Sequence, residues 1–228
     1  MSSVFLQAPH SAEMLWLAAA ALVMVTAGGR YSIQKVKNSV SSLCLKAGAT
    51  SAAVLTAWAA ACRSQSRAAW LVVAAAVCCM IADVLLEVKF TAGSALFGVG
   101  HLFFMASYFT QAGPSAVTAL VFGILFGGMY LLHRGQLFVL GKKKAAACLY
   151  SALLSAMTAM ALTAAVQNRD VTGWMTGAGA SCFFLSDNIL IKRRLTGSRS
   201  QTMGRWILVF YYGALYLITA GQLLFKMR

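Results

Sequence analysis

Three carboxylates stand where a hydrophobic chain should not carry them. Asp83, Glu87 and Asp187 lie inside or at the ends of long apolar runs. His101 and Lys46 interrupt two further runs, Tyr211 and Tyr212 sit together in another, and Ser186 directly precedes Asp187. An ionisable side chain at the centre of a bilayer costs about 2.5–3.5 kcal/mol on insertion scales, so it normally faces the interior of a helix bundle and has a task. Two carboxyls with a histidine nearby suit general acid–base work. The same acids could instead carry protons, or pair with Lys46 and loop arginines as structural ions. Glu87 lies one turn from Asp83 on the same face and close enough to a helix end to read as an interfacial charge. Zinc wants several His or Cys at ligand spacing. Asp83, Glu87, Asp187 and His101 could hold a hard cation, but nothing in their spacing demands one, so neither metal nor cofactor is expected. No serine has a convincing base partner, and Ser186 reads as an orienting hydroxyl. Glu13, Asp170, His10 and His133 fall at water-facing ends and read as inert.

The elements that must hold these groups are transmembrane helices. Of 228 residues, 60% are hydrophobic and only 11% charged, against about 25% charged in a soluble domain. That excludes a water-soluble fold and a disordered chain. Eight apolar runs can be counted, at 12–27, 40–61, 68–88, 94–112, 115–133, 145–166, 172–191 and 206–225. Most approach the ~20 residues that a bilayer core requires. They are too long, and alternate too little, for barrel strands. The expected fold is all-α: a polytopic bundle of eight transmembrane helices forming a single domain over 1–228. Ala, Gly and Ser inside the runs suit close helix packing in lipid. The first run ends in a cleavable-looking Val-Thr-Ala-Gly-Gly, but residues 1–13 carry no Lys or Arg, so a retained helix is favoured over an export signal. The six cysteines form no Cys-x-x-Cys pair and read as small core residues.

The charge balance orients the bundle. There are 19 Lys+Arg against 5 Asp+Glu, a net +14. Thirteen basic residues (Arg30, Lys35, Lys37, Lys89, Arg134, Lys142–Lys144, Lys192–Arg194, Arg199, Arg205) belong to loops on one side, and five (Arg63, Arg67, Arg169, Lys226, Arg228) to the other. The positive-inside rule puts the first set in the cytoplasm and both termini away from it. Basic residues confined to gaps between apolar runs point to anionic lipid, not nucleic acid. The five tryptophans lie mostly near run ends, as interface anchors do.

Depth and repetition sharpen the picture. Counted from the cytoplasmic ends of the runs, Asp83, Asp187, His101, Tyr211, Tyr212 and Lys46 all fall roughly 6–11 Å inside the bundle at ~1.5 Å per residue. Five runs thus contribute polar groups to one layer, as a pocket open to the cytoplasmic leaflet would require. At an offset of 104 residues, Trp70, Ala74, Ala76, Cys78, Asp83 and Leu86 match Trp174, Ala178, Ala180, Cys182, Asp187 and Leu190. A parallel internal repeat, with the third and seventh runs equivalent, would explain it.

Several of these segments resemble motifs of the YhhN family. Ala82-Asp83-Val84-Leu85-Leu86-Glu87 and Phe97-Gly98-Val99-Gly100-His101-Leu102-Phe103-Phe104 are similar to its paired Gly-Asp-x-x-Leu and Phe-x-x-x-His-x-x-Tyr motifs. The stretch from Gly177 to Leu190 resembles its Gly-Ala-x-x-Phe-x-x-Ser-Asp signature, and Tyr211 to Ile218 its final Tyr-Tyr-x-Ala-Gln-x-Leu-Ile helix. Lys46 looks like the family's second-helix lysine. The sequence departs from those patterns at Ala82, Phe104 and Leu215, where the family has Gly, Tyr and Gln.

The resemblance implies a lysoplasmalogenase: a multi-pass hydrolase of lipid metabolism that cleaves the vinyl ether of a lysophospholipid to a fatty aldehyde and a glycerophospho-base. It implies Asp83 and Asp187 as the catalytic pair. His101, Lys46, Glu87, Ser186, Tyr211 and Tyr212 are expected to support them or bind substrate. The chemistry suits two acids without metal, nucleotide or nucleophilic serine. The expected partners are the lysophospholipid and membrane lipids, in a bacterial inner membrane rather than the endoplasmic reticulum. The competing expectation is a proton-coupled transporter or a lipid-binding membrane protein without hydrolase activity.

Overall fold

The computed structural model of the chain describes residues 11–34, 39–137, 141 and 144–224. His10, Lys35, Lys37, Lys142, Lys143, Lys226 and Arg228 lie outside the described residues. Eight helices follow in order among the described residues: α1 (Ser11–Ile33), α2 (Val40–Ser64), α3 (Arg67–Val88), α4 (Phe90–Gln111), α5 (Ala116–Leu137), α6 (Lys144–Asn168), α7 (Val171–Leu195) and α8 (Gln201–Leu224). Seven are long and apolar enough to cross a membrane. The exception is α7, expected from sequence as an eighth span of the same kind. It has the length, but Asp187, Asn188 and the run Lys192-Arg193-Arg194 dilute its apolar character. It is packed between α6 and α8.

Several boundaries differ from the sequence reading, among them the ends of α5 at Leu137 and α7 at Leu195. α1 runs on to Ile33, α4 starts at Phe90 and α8 starts at Gln201. In each case the helix continues through polar or glycine-containing sequence that hydropathy alone assigns to a loop. Measured from the helix ends instead of the ends of the apolar runs, the polar groups spread more widely along the bundle. At ~1.5 Å per residue from the basic helix ends, Asp83 and Lys46 lie about 8–9 Å in, Asp187 about 12 Å, and Tyr211 and His101 about 15–17 Å.

α2, α3, α4, α6, α7 and α8 follow one another around a closed ring of packed neighbours, with α1 outside against α2 and α8, and α5 outside against α6. Small residues let the ring close. Ala49, Ala53, Ala57, Ala75, Ala76, Ala82 and Ala180 are buried in the core. At Gly179 a Cβ would meet the Ala214 carbonyl oxygen at 2.9 Å, so only glycine allows α7 and α8 this approach. The five tryptophans are all 42–53% exposed on the outer surface. Of the six free cysteines only Cys79 is fully buried, while Cys44 and Cys62 are exposed. The cysteines are therefore not uniformly core residues as expected, because much of each helix faces outward in a bundle this thin.

The α2–α3 and α6–α7 hairpins are built alike. α2 and α6 begin at Val40 and Lys144 and end at Ser64 and Asn168. Each is followed by a left-handed residue, Gln65 (φ 51°) or Arg169 (φ 52°). Each following helix is capped by a side-chain oxygen: Ser66 accepts from the Ala69 amide at 3.2 Å and Asp170 from the Gly173 amide at 2.7 Å. Asp170, expected to be inert, thus has a capping role. Glu13 likewise pairs with Arg63 across α1 and α2.

Candidate functional site

The hairpins carry Asp83 and Asp187 on the inward faces of α3 and α7, and both line one cavity of about 740 Å³. Asp83 is enclosed on three sides. Thr50 of α2 donates to its Oδ2 at 2.5 Å and Tyr211 of α8 donates to the same oxygen at 2.9 Å. Lys46 Nζ stands 3.8 Å from its Oδ1 and donates to its backbone carbonyl at 3.3 Å. Asp187 has different company. Tyr150 of α6 donates its hydroxyl to Oδ2, and His101 Nε2 lies 3.5 Å from that oxygen. His101 Nε2 and the Tyr150 hydroxyl are themselves 3.3 Å apart. His101 is fully buried and lines neither large cavity, so it meets the polar cavity only through its contact with Asp187.

Glu87 differs from the expected interfacial charge. Lys46 Nζ contacts its carboxylate at 3.1 Å, and Tyr31 of α1 donates to it. A charge that finds a buried lysine and a phenol one turn below Asp83 has no reason to reach out to the interface. Lys46 thus bridges the two acids of α3, and it also lies 5.3 Å above the Tyr31 ring.

An aromatic floor joins the two aspartate environments. Phe183 packs edge-on against His101 (4.8 Å between centroids) and against Tyr211 (5.5 Å), and Phe97 packs edge-on against Tyr211 at 5.6 Å. Phe183 is fully buried and Phe97 nearly so. Phe97 and Tyr211 line the cavity, and Phe183 packs behind both.

Ser186 lines the cavity but donates to the Ile207 carbonyl at 3.0 Å, pinning α7 to α8 rather than orienting Asp187. Tyr211 belongs to the site and Tyr212 does not line the cavity; its ring fills the space beside Gly28 of α1. His133, expected at a water-facing end, is buried and pairs with Asn188 at 3.3 Å, because α5 continues past it. Among the described residues, no three His, Cys, Asp or Glu side chains converge enough to hold a metal ion.

Sequence reasoning missed Tyr150, Thr50 and Tyr31, whereas Arg193, Arg199 and Arg205, counted from sequence on the basic side, line the cavity. Tyr150 was within reach: it stands 104 residues after Lys46, the interval already seen between the two aspartates. Thr50 gives no such signal, since a threonine in an apolar helix most often bonds its own backbone, as Thr50 also does to Lys46 at 3.3 Å.

Neither the curated proteins nor the solved structures contain a match to this chain. A family match covers residues 41–222, from the first turn of α2 to the last turn of α8. That interval holds every aspartate, lysine, histidine and tyrosine of the site except Tyr31, and on it the chain belongs to the YhhN family.

Proposed function

We propose that this protein is a membrane hydrolase that cleaves the vinyl ether of a lysoplasmalogen, using Asp83 and Asp187. One observation carries the reading. Two aspartates from separate helix hairpins line one cavity whose walls also carry the aromatic rings of Phe97 and Tyr211 and the arginines Arg193, Arg199 and Arg205. Among the described residues, the ion pairs of the acidic side chains run to Lys46, Arg63 and His101 and not to the arginines of the rim. That rim is available to a phosphate.

The reaction needs little else. A vinyl ether resists nucleophiles but accepts a proton on the carbon β to oxygen, leaving an oxocarbenium ion. Water adds to that ion and returns a proton, and the hemiacetal collapses to aldehyde and alcohol. One water is consumed in all. One carboxyl gives the first proton, the other guides the water, and negative charge near the cation lowers the barrier. Tyr150, Thr50 and Tyr211 hold the carboxyls in place.

The matched hairpins support a further element of this reading: an internal duplication relating α1–α4 to α5–α8. Helix starts, left-handed turns and capping residues recur at an interval of 104. The α2–α8 contact has its counterpart in α4–α6. The basic ends of the helices face the cytoplasm on this reading, as the charge count requires, and the chain resides in a bacterial inner membrane.

The test is direct. Purified protein is incubated with a lysoplasmalogen, a saturated lysolipid and a diacyl lipid, and aldehyde is measured. Aldehyde from the first alone is expected. Substrate movement across sealed vesicles with no aldehyde would establish transport instead.

A further inference from the structure

The second large cavity has no assigned occupant. It measures about 660 Å³, within the range of about 300–1,000 Å³ usual for ligand sites, and lies among α4, α5, α6 and α7 with almost wholly apolar walls. Asp187, Leu190, Phe97, Leu86, Phe90 and Arg194 line it and the polar cavity alike. The two spaces therefore meet at Asp187. Tyr150, which donates to Asp187, faces the apolar side, and Asp83 lines the polar side only.

The apolar cavity opens sideways. Val99 and Leu102 of α4, Tyr130 of α5 and Leu149 of α6 all line it, yet are 41–72% exposed on the lipid-facing surface. The opening has a cause in the helix arrangement. α1 packs against α8, but α5, its counterpart in position, stands clear of α4 among the described residues and leans on α6.

We propose that this cavity receives the hydrocarbon chain of a single-chain phospholipid, which enters from the bilayer between α4 and α5 while its phosphate docks on Arg193, Arg199 and Arg205. The proposal rests on the hydrolase reading and deepens it. Chain and head then occupy different compartments, and the bond between them lies beside Asp187. The vinyl carbon that takes the proton belongs to the chain side. Asp187, reaching both compartments, is the proton donor, and Asp83, on the polar side alone, attends the incoming water.

The site is tested with a probe that cannot be cleaved: a saturated alkyl-ether lysophosphatidylcholine bearing a photoreactive diazirine at the chain end, reacted with the full chain in lipid nanodiscs. Mass spectrometry locates the adducts. Labels on the α4, α5 and α6 walls, such as Leu102, Phe126 and Leu149, are expected. Gly98→Leu and Ala147→Phe fill the cavity from two helices and should each reduce that labelling about tenfold. Gly98 has room for the change, since a Cβ there meets only Leu153 and Tyr150 at 3.6 and 3.9 Å. A probe with an uncharged head should label these walls less than the phosphocholine probe. Adducts on α1, α2 and α8, adducts spread over the whole lipid-facing surface, or labelling unchanged in whichever variants fold would overturn the proposal. Correct labelling without aldehyde from a lysoplasmalogen removes the hydrolase reading and leaves the chain site. Aldehyde release with labels elsewhere does the reverse.

Discussion

Lys46 and Tyr150 occupy the seventh positions of α2 and α6, and each reaches the aspartate of the helix that follows. Equivalent places hold unlike chemistry. Asp83 receives a cation beside it, and Asp187 receives a neutral phenol and an imidazole. Two carboxyls placed alike but surrounded differently are what a division into proton donor and water guide requires.

Asp83→Asn and Asp187→Asn should each lose aldehyde release by at least about 10²–10⁴-fold, the usual contribution of a positioned acid or base. Both variants keep the side-chain volume, so membrane insertion and the elution profile in detergent should match the parent protein. Full turnover in either one ends the two-acid mechanism.

Tyr150→Phe isolates one hydrogen bond. The ring keeps its packing, and Asp187 loses a donor. As Asp187 gives up its proton a carboxylate forms, and a hydrogen bond to a charged group contributes about 1.5–3 kcal/mol, so kcat should fall about 10–100-fold while thermal stability, set by the neutral carboxyl, changes little. A drop in stability with unchanged kcat would make Tyr150 a packing residue only.

Lys46 is the structural counterweight of α3. Its side chain meets Glu87 at 3.1 Å and Asp83 at 3.8 Å in a largely dry place. Lys46→Met leaves two acids one turn apart without their cation, a change that costs about 3–5 kcal/mol for a buried pair. Thermal unfolding in detergent should register the loss. Adding Glu87→Gln to Lys46→Met should recover part of it, and the double-mutant cycle measures the coupling. Strict additivity of the two changes would mean that the lysine does not hold Glu87.

The membrane-spanning architecture was legible in the sequence because bilayer thickness imposes run length, and the two aspartates because carboxyls are rare in apolar helices. Helix ends were harder. Gln201 to Arg205 is polar, yet α8 already begins there, because helix continuation outside a membrane needs no hydrophobicity. Glu87 was misread for a related reason: distance to a helix end says nothing about a lysine on the next helix. Tyr212 and Tyr211 are adjacent in sequence but point to different neighbours, Gly28 and Asp83, since successive helical residues are about 100° apart. His133 needed the neighbouring Asn188 to be seen as buried.

The closeness of α7 and α8 gives a test in which fold and chemistry separate. Gly179 lies against the Ala214 carbonyl oxygen at a distance no side chain tolerates, with Ile218 Cγ1 at 2.8 Å from the same point. Gly179→Val must push α8 away, and α8 carries Tyr211 to Asp83. Overpacking of this kind costs about 1–3 kcal/mol. Here backbone rather than a flexible side chain stands in the way, so a fall in the yield of folded protein is expected. Gly123 on α5 is the control, because nothing lies within 4 Å of its Cβ direction; Gly123→Val should express and unfold like the parent. If Gly179→Val folds as well as Gly123→Val, α7 and α8 have another way to pack, and the tie between Tyr211 and Asp83 does not depend on this contact.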